Sequence, residues 1–141
     1  MGKINLSRVV LGGIVAGIVI DVFEGILNGA ILSSQWSEVL TGLGKTVTMS
    51  AKQIVAFNVW GLAVGILTVG LYAAIRPRFG PGPKTAIIAG LVLWLLAYVW
   101  PSLGNGLMGF MPMKLLTVAV LWGLAEVIVA ALVGGALYKE M

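Results

Sequence analysis

The chain contains neither cysteine nor histidine among its 141 residues. Without cysteine it cannot form disulfides, thiolate nucleophiles, iron–sulfur clusters or cysteine-bound zinc. Without histidine it lacks the commonest metal ligand and the usual general base near neutral pH. The composition therefore excludes most redox and metal chemistry, and the sequence predicts no cofactor, no metal site and no catalytic residues.

Charged residues are also scarce. They make up 10% of the chain, whereas hydrophobic residues make up 60% and the mean hydropathy is +1.07. Soluble proteins have roughly 25% charged and about 45–50% apolar residues, so this chain would expose too much apolar surface in water. A lipid bilayer is the expected solvent. In a membrane protein, lysine and arginine mark the orientation of the chain. The net charge of +4 is interpreted in this way, and no nucleic-acid partner is expected.

Four continuous apolar runs approach the length of about 20 residues that a helix needs to cross a bilayer. Backbone groups in lipid must be paired within the segment, so the runs predict helices. The expected fold is all-α, a four-transmembrane-helix bundle that forms one domain over residues 1–141. The predicted spans are Val9 to Leu32, Ile54 to Ile75, Thr85 to Trp100, where Pro101 ends the third span, and Leu115 to Tyr138.

The loop between the first two spans carries an apolar stripe with helical spacing. The stripe predicts a short amphipathic helix over about residues 34–43. Such a helix lies in the headgroup region with its apolar face towards lipid, or it serves as a lid or a partner-docking helix; the first interpretation is favoured. The stripe consists of Trp36, Val39, Leu40, Leu43 and Val47.

Lysine and arginine predict the orientation of the bundle. Four spans place both termini on one side, and that side collects six of the nine basic residues. The excess favours cytoplasmic termini. The segment from Arg76 to Lys84 carries three prolines and is predicted to be a short, stiff connector between the second and third spans, because proline fixes φ.

Three of the five acidic residues fall inside the predicted spans: Asp21, Glu24 and Glu126. A charge near the bilayer centre costs several kcal/mol, so such residues are functional candidates by default. Asp21, Glu24 and Asn28 follow one another at i, i+3 and i+7 and share one face of the first span.

The depth of the acids can be counted from the basic residues of the same helices. Asp21 follows Arg8 by 13 residues and Glu126 precedes Lys139 by 13, so each lies roughly 20 Å from the side of the termini. Asn58 in the second span lies further out, at a depth similar to those of Glu24 and Asn28. These residues predict a polar seam between spans one, two and four that forms a candidate ion site.

No lysine or arginine lies at the depth of these acids. Three alternatives follow: the carboxyls are protonated, they line a water-filled cavity, or they face a cation from a substrate or a partner chain. Protonated acids are compatible with a purely structural role, whereas the other two alternatives suggest a function.

Glycines four residues apart form flat strips that let helices approach closely in lipid. The strips predict helix packing, either within the bundle or between copies of the chain. They comprise Gly13 with Gly17, Gly25 with Gly29, and Gly61 with Gly65. Aromatic residues near the ends of the spans, among them Trp94 and Tyr98, are interpreted as interfacial anchors.

The sequence also contains a weak internal repeat. Val59 to Ala63 matches Leu121 to Ala125, and Ala16 to Ile20 is similar to Ala89 to Leu93. Either the two halves are parallel repeats related by an axis near the membrane normal, or apolar helices reuse the same few residues by chance.

Three segments, Trp60 to Ala63, Leu71 to Lys84 and Trp122 to Glu126, resemble small bacterial inner-membrane proteins of unknown function. The resemblance implies four spans and an inner-membrane location, and it implies no activity.

The favoured function is that of an accessory or scaffold subunit without catalytic activity, working as a homo-oligomer or in a larger membrane complex. The alternative is a small proton- or cation-coupled transporter or channel that uses the intramembrane carboxylates. An intramembrane enzyme acting on lipid is disfavoured, since no recognisable nucleophile accompanies the carboxylates.

Overall fold

A computed structural model describes residues 3–140, and over this range the fold is all-helical. Four helices are long and apolar enough to cross a membrane, which confirms the predicted fold class. We call them span 1 (Leu6–Ile31), span 2 (Ala51–Phe79), span 3 (Pro83–Leu107) and span 4 (Met113–Leu137). The individual helices are α1 (Leu6–Ile26), α2 (Ser33–Gly42), α3 (Ala51–Phe79), α4 (Pro83–Trp94), α5 (Trp100–Leu107) and α6 (Met113–Leu137).

The four spans pack in chain order around the bundle, with span 4 closing back onto span 1. Both described ends of the chain lie at one end of the bundle, which we call the terminal side, and α2 lies at the other, the loop side. On the terminal side, Arg76 contacts the last described residues of the chain. Its guanidinium pairs with Glu140 at 2.8 Å and lies over the ring of Tyr138.

The terminal half of the bundle is closely packed through small residues. Ala16, Val69, Ala89 and Ala130 are each fully buried. At the crossing of spans 1 and 2, a Cβ on Gly13 would collide with the backbone of Ile66. Only glycine lets the two helices approach this closely, so spans 1 and 2 touch through backbone atoms in this half of the bundle, which we call the sealed half.

Two of the three predicted glycine strips lie in this crossing. Gly17 packs against Gly61, and Gly65 packs against both Gly13 and Gly17. The third strip does not pack: a Cβ on Gly25 or Gly29 would meet nothing within 4 Å. The outer end of span 1 therefore presents its small residues to open space.

Span 3 continues past Pro101, whereas the sequence predicted that it ends there. A π-helical turn, Leu95–Val99, precedes the proline, and the N–H of Trp100 bonds to the carbonyl of Leu95. Proline lacks an N–H and its ring clashes with the preceding turn of an α-helix. The wider π turn is the kind of local adjustment that accommodates such a break, so the helix runs on to Leu107.

The short helix α2 packs partly on the bundle itself. Trp36 and Val39 contact a cluster formed by Leu27 and Leu32 at the end of span 1 with Leu115 and Leu116 at the start of span 4. Gly44, at φ +66°, lies just beyond the end of α2. Leu43 and Val47, the outer part of the predicted stripe, are exposed.

The two halves of the chain are structurally equivalent on the terminal side. The hydroxyl of Tyr72 in span 2 accepts a hydrogen bond from the N–H of Gly82, the residue before span 3. The hydroxyl of Tyr138 after span 4 likewise accepts one from Asn5, the residue before span 1. The two rings pack edge to face at 5.9 Å.

The equivalence extends into the spans. Gly17 packs against Gly61 and Leu62, and Gly90 packs against Val127 and Ile128. These positions coincide when Ala16 is aligned with Ala89 and Tyr72 with Tyr138. The Trp-Gly-Leu-Ala match lies in a different register: Trp60 is exposed, whereas Trp122 points inward and bonds to span 1.

Candidate functional site

Glu126 lies at the centre of the polar site. Its side chain is fully buried, and its Oε1 accepts a 2.5 Å hydrogen bond from the hydroxyl of Tyr98 in span 3. The other oxygen, Oε2, is buried and accepts no hydrogen bond from an N–H or hydroxyl group in the described part of the chain; the Glu24 carboxyl is the polar group beside Glu126. An unpaired buried carboxyl oxygen is costly, so this atom marks a place where a donor or a proton fits.

Glu24 and Asn28 connect this centre to the loop side. The Asn28 side-chain amide donates to Glu24 Oε2 at 2.6 Å. The indole N–H of Trp36 in α2 donates to Asn28 Oδ1 at 2.7 Å. A hydrogen-bonded chain therefore runs from α2 to a carboxyl in span 1, and the Glu24 carboxyl faces Glu126.

Asp21 lies one turn further towards the terminal side and is half-buried. Its carboxyl lies directly over the backbone of Gly61 in span 2, where a Cβ would collide with it. Asp21 and Glu24 are the charged side chains that face Glu126. The three predicted acids thus share one region of the bundle without converging on a single point, with Asp21 on the span 2 side and Glu126 on the span 4 side.

Asn58 does not join the predicted seam. It is exposed, and its amide donates to Ile54 O one turn earlier in its own helix. The reason is that residues 51–60 of span 2 are exposed at every position. The outer third of this helix stands away from the other spans.

Aromatic residues complete the site in a way that the sequence did not predict. The sequence favours interfacial anchors for Tyr98 and Trp94, but Tyr98 binds Glu126 and the Trp94 indole donates to Val120 O. Trp122 donates to Phe23 O and stacks at a tilt on the Phe23 ring. The sequence does contain a signal for the contact of Tyr98. Tyr98 follows Lys84 by 14 residues, so its depth in the bilayer is similar to the depths of Asp21 and Glu126.

The geometry limits what the carboxyl cluster can bind. Within residues 3–140, no three acidic side chains converge closely enough to hold a metal ion. Arg76 with Glu140 is the one ion pair in that range, and it lies on the terminal side. The cluster therefore offers carboxyl oxygen to a group that needs few ligands, such as a proton, an ammonium or a guanidinium.

Comparisons with known proteins give this chain no relatives: no protein-family model, no curated protein and no solved structure matches it.

Proposed function

We propose that the protein is a non-catalytic subunit of a membrane assembly, and that its carboxyl cluster receives a positively charged group from a partner within the bilayer. The observation that carries the proposal is the fully buried carboxyl of Glu126, whose Oε2 accepts no hydrogen bond from an N–H or hydroxyl group of the described residues. Asp21 and Glu24 add negative charge beside it. A buried acid without a counter-ion is a strong reason for a cation to bind, because its own helices supply none.

The packing of the terminal half favours docking over transport. A transporter must expose its site alternately to both sides of the membrane. Between the cluster and the terminal side, however, Ala16, Val69 and Ala130 are fully buried and the glycine crossing brings backbones together. Opening a path there would separate helices that touch through backbone atoms.

The proposal includes an orientation and a location. Six of nine basic residues lie at the terminal side, which supports cytoplasmic termini. We place the protein in a bacterial inner membrane as part of the same proposal, either as a homo-oligomer or within a larger complex.

A small proton- or cation-coupled transporter is the second candidate. It is favoured by the hydrogen-bonded chain from Trp36 through Asn28 to Glu24, which gives the cluster a polar connection to the loop side. This function requires the sealed half to open during turnover.

Conservative variants distinguish the two functions. Asp21→Asn and Glu126→Gln keep side-chain shape and remove charge, and Glu38→Gln removes an acid outside the spans as a matched control. Under the docking proposal, the protein solubilised from its own membranes in mild detergent carries a partner at fixed stoichiometry, and the first two variants lose it while the control keeps it.

The purified chain in sealed vesicles then shows no proton or cation flux. Carboxyl-dependent flux in the absence of any partner would establish the transporter and overturn the docking proposal.

A further inference from the structure

The outer third of span 2 is a helix without neighbours. Residues 51–60 are exposed at all ten positions, over a length of about 15 Å. A helix on the rim of a bundle normally buries one face, yet here Trp60 is 70% and Phe57 62% exposed. The inward-facing side of this segment lacks a packing partner.

The outer part of span 1 is also open at its glycines. Gly25 and Gly29 leave free space at their Cβ positions, in contrast to Gly13 and Gly17 of the same helix. Small residues allow another helix to come close, but a strip of them does not itself specify a ligand. The carboxyl groups where the two helices diverge indicate which ligand fits.

Carboxyl groups lie where the two helices diverge. Asp21 sits over Gly61, the residue after the exposed segment of span 2. Glu24 and the buried Glu126 lie close enough to interact electrostatically with Asp21. Lys52 is nine residues further out in span 2, at about 14 Å along the helix, beyond the reach of its side chain.

Charge and depth select the occupant. A second copy of the chain carries all its basic residues away from this depth, so it cannot neutralise the acids. A lipid headgroup keeps its charge at the membrane surface. A transmembrane helix with a lysine or arginine within its apolar segment supplies both a helical surface for the open faces and a cation for the acids.

Resting on the function proposed above, we propose that the groove between residues 51–60 of span 2 and the Gly25–Gly29 strip of span 1 binds a partner transmembrane helix, whose lysine or arginine side chain pairs with Asp21 and the neighbouring glutamates.

Model helices test the groove directly and do not require the natural partner. The full chain is reconstituted in phosphatidylcholine vesicles with a leucine-rich transmembrane peptide that carries one lysine level with Asp21; matched peptides carry leucine or glutamate there. A photocrosslinker replaces Phe57 in the groove or, as a positional control, Ile18 on the exposed face of the sealed half.

We expect the lysine peptide to crosslink from position 57 about tenfold more than the leucine peptide, the ratio that one intramembrane polar pair of 1–2 kcal/mol supplies. Asp21→Asn with Glu24→Gln removes the preference, and Glu38→Gln retains it. Gly25→Leu, which adds bulk to the open strip and leaves the acids intact, blocks crosslinking of every peptide from position 57. Helicity and monodispersity of each variant confirm folding.

Three results would overturn the inference. Equal crosslinking of the lysine and leucine peptides shows that charge does not select the occupant. Chain-to-chain crosslinks from position 57 without peptide show that a second copy fills the groove. If the lysine peptide crosslinks at position 18 in an acid-dependent way, the binding site lies elsewhere and the proposed function stands. If crosslinking depends on the acids at neither position, the inference and the proposed function are both overturned.

Discussion

Glu126 and Tyr98 form the contact on which the carboxyl cluster depends at the scale of single residues. The phenol hydroxyl satisfies one oxygen of a fully buried carboxyl and leaves the other unpaired. In lipid no water replaces a lost donor, so the two side chains are coupled energetically.

Tyr98→Phe is expected to lower the free energy of unfolding by about 1–2 kcal/mol, since it leaves a buried carboxyl without its donor. Glu126→Leu, which removes the acceptor, reveals the coupling when it is combined with Tyr98→Phe in a double-mutant cycle measured by reversible unfolding in mixed micelles. Strictly additive effects would show that the 2.5 Å hydrogen bond contributes nothing to stability.

The sequence anticipated part of this site for definite physical reasons. Intramembrane charge is rare enough to identify Asp21, Glu24 and Glu126, and a helical rise per residue is regular enough to place them at one depth. The sequence could not place Asn58 relative to the other polar residues, because a depth count contains no information on whether a helix end leans away from its neighbours. The contact of Tyr98 escaped prediction because an aromatic residue near a span end is typical of interfacial anchors.

At the scale of helices, the crossing of spans 1 and 2 also separates what the sequence could predict from what it could not. Glycine spacing alone could not tell which strips pack, since Gly25 and Gly29 have the same spacing as Gly13 and Gly17. The partner surface decides, and it is present only on the terminal half. The extent of span 3 depended similarly on a local feature, the π turn before Pro101, that hydropathy does not report.

Gly65→Ala is expected to destabilise the protein by about 1–3 kcal/mol, because the added methyl meets the backbone of Gly13 and Gly17 and forces the helices apart. Gly25→Ala is the matched control, with open space around it, and should be neutral or stabilising by up to about 1 kcal/mol through helix propensity. Unfolding free energies in micelles give the comparison; equal losses at the two positions would contradict the packing account.

At the scale of the whole molecule, the described chain has a closely packed half on the terminal side and an open half on the loop side, which carries the polar groups. The terminal side is fastened by the Tyr72 and Tyr138 hydroxyls and by the Arg76–Glu140 pair. The loop side holds the carboxyl cluster, the free helix segment and α2.

Tyr72→Phe and Tyr138→Phe are expected to cost similar amounts, about 1 kcal/mol each, since each removes the acceptor for one backbone N–H at the start of a span. The rings and their edge-to-face contact remain. Thermal unfolding of both variants tests the equivalence of the halves, and a large effect at one tyrosine with none at the other would contradict it.

The absence of native cysteine makes a topology test direct. Single cysteines placed at Lys3, Arg78 and Lys139 should react with a membrane-impermeant maleimide from one side of intact vesicles. Cysteines at Lys45 and Gly109 should react from the other. Labelling of Arg78 together with Lys45 would contradict four crossings.

The two hairpins differ at the positions where the carboxyl cluster lies. In two equivalent hairpins related by an axis near the membrane normal, each polar position would occur twice. In the aligned register Asp21 stands where the other half has Trp94, and Glu126 where it has Trp60. The acidic face is consequently present once, where two identical halves would present it twice, and this asymmetry gives the bundle a single polar side.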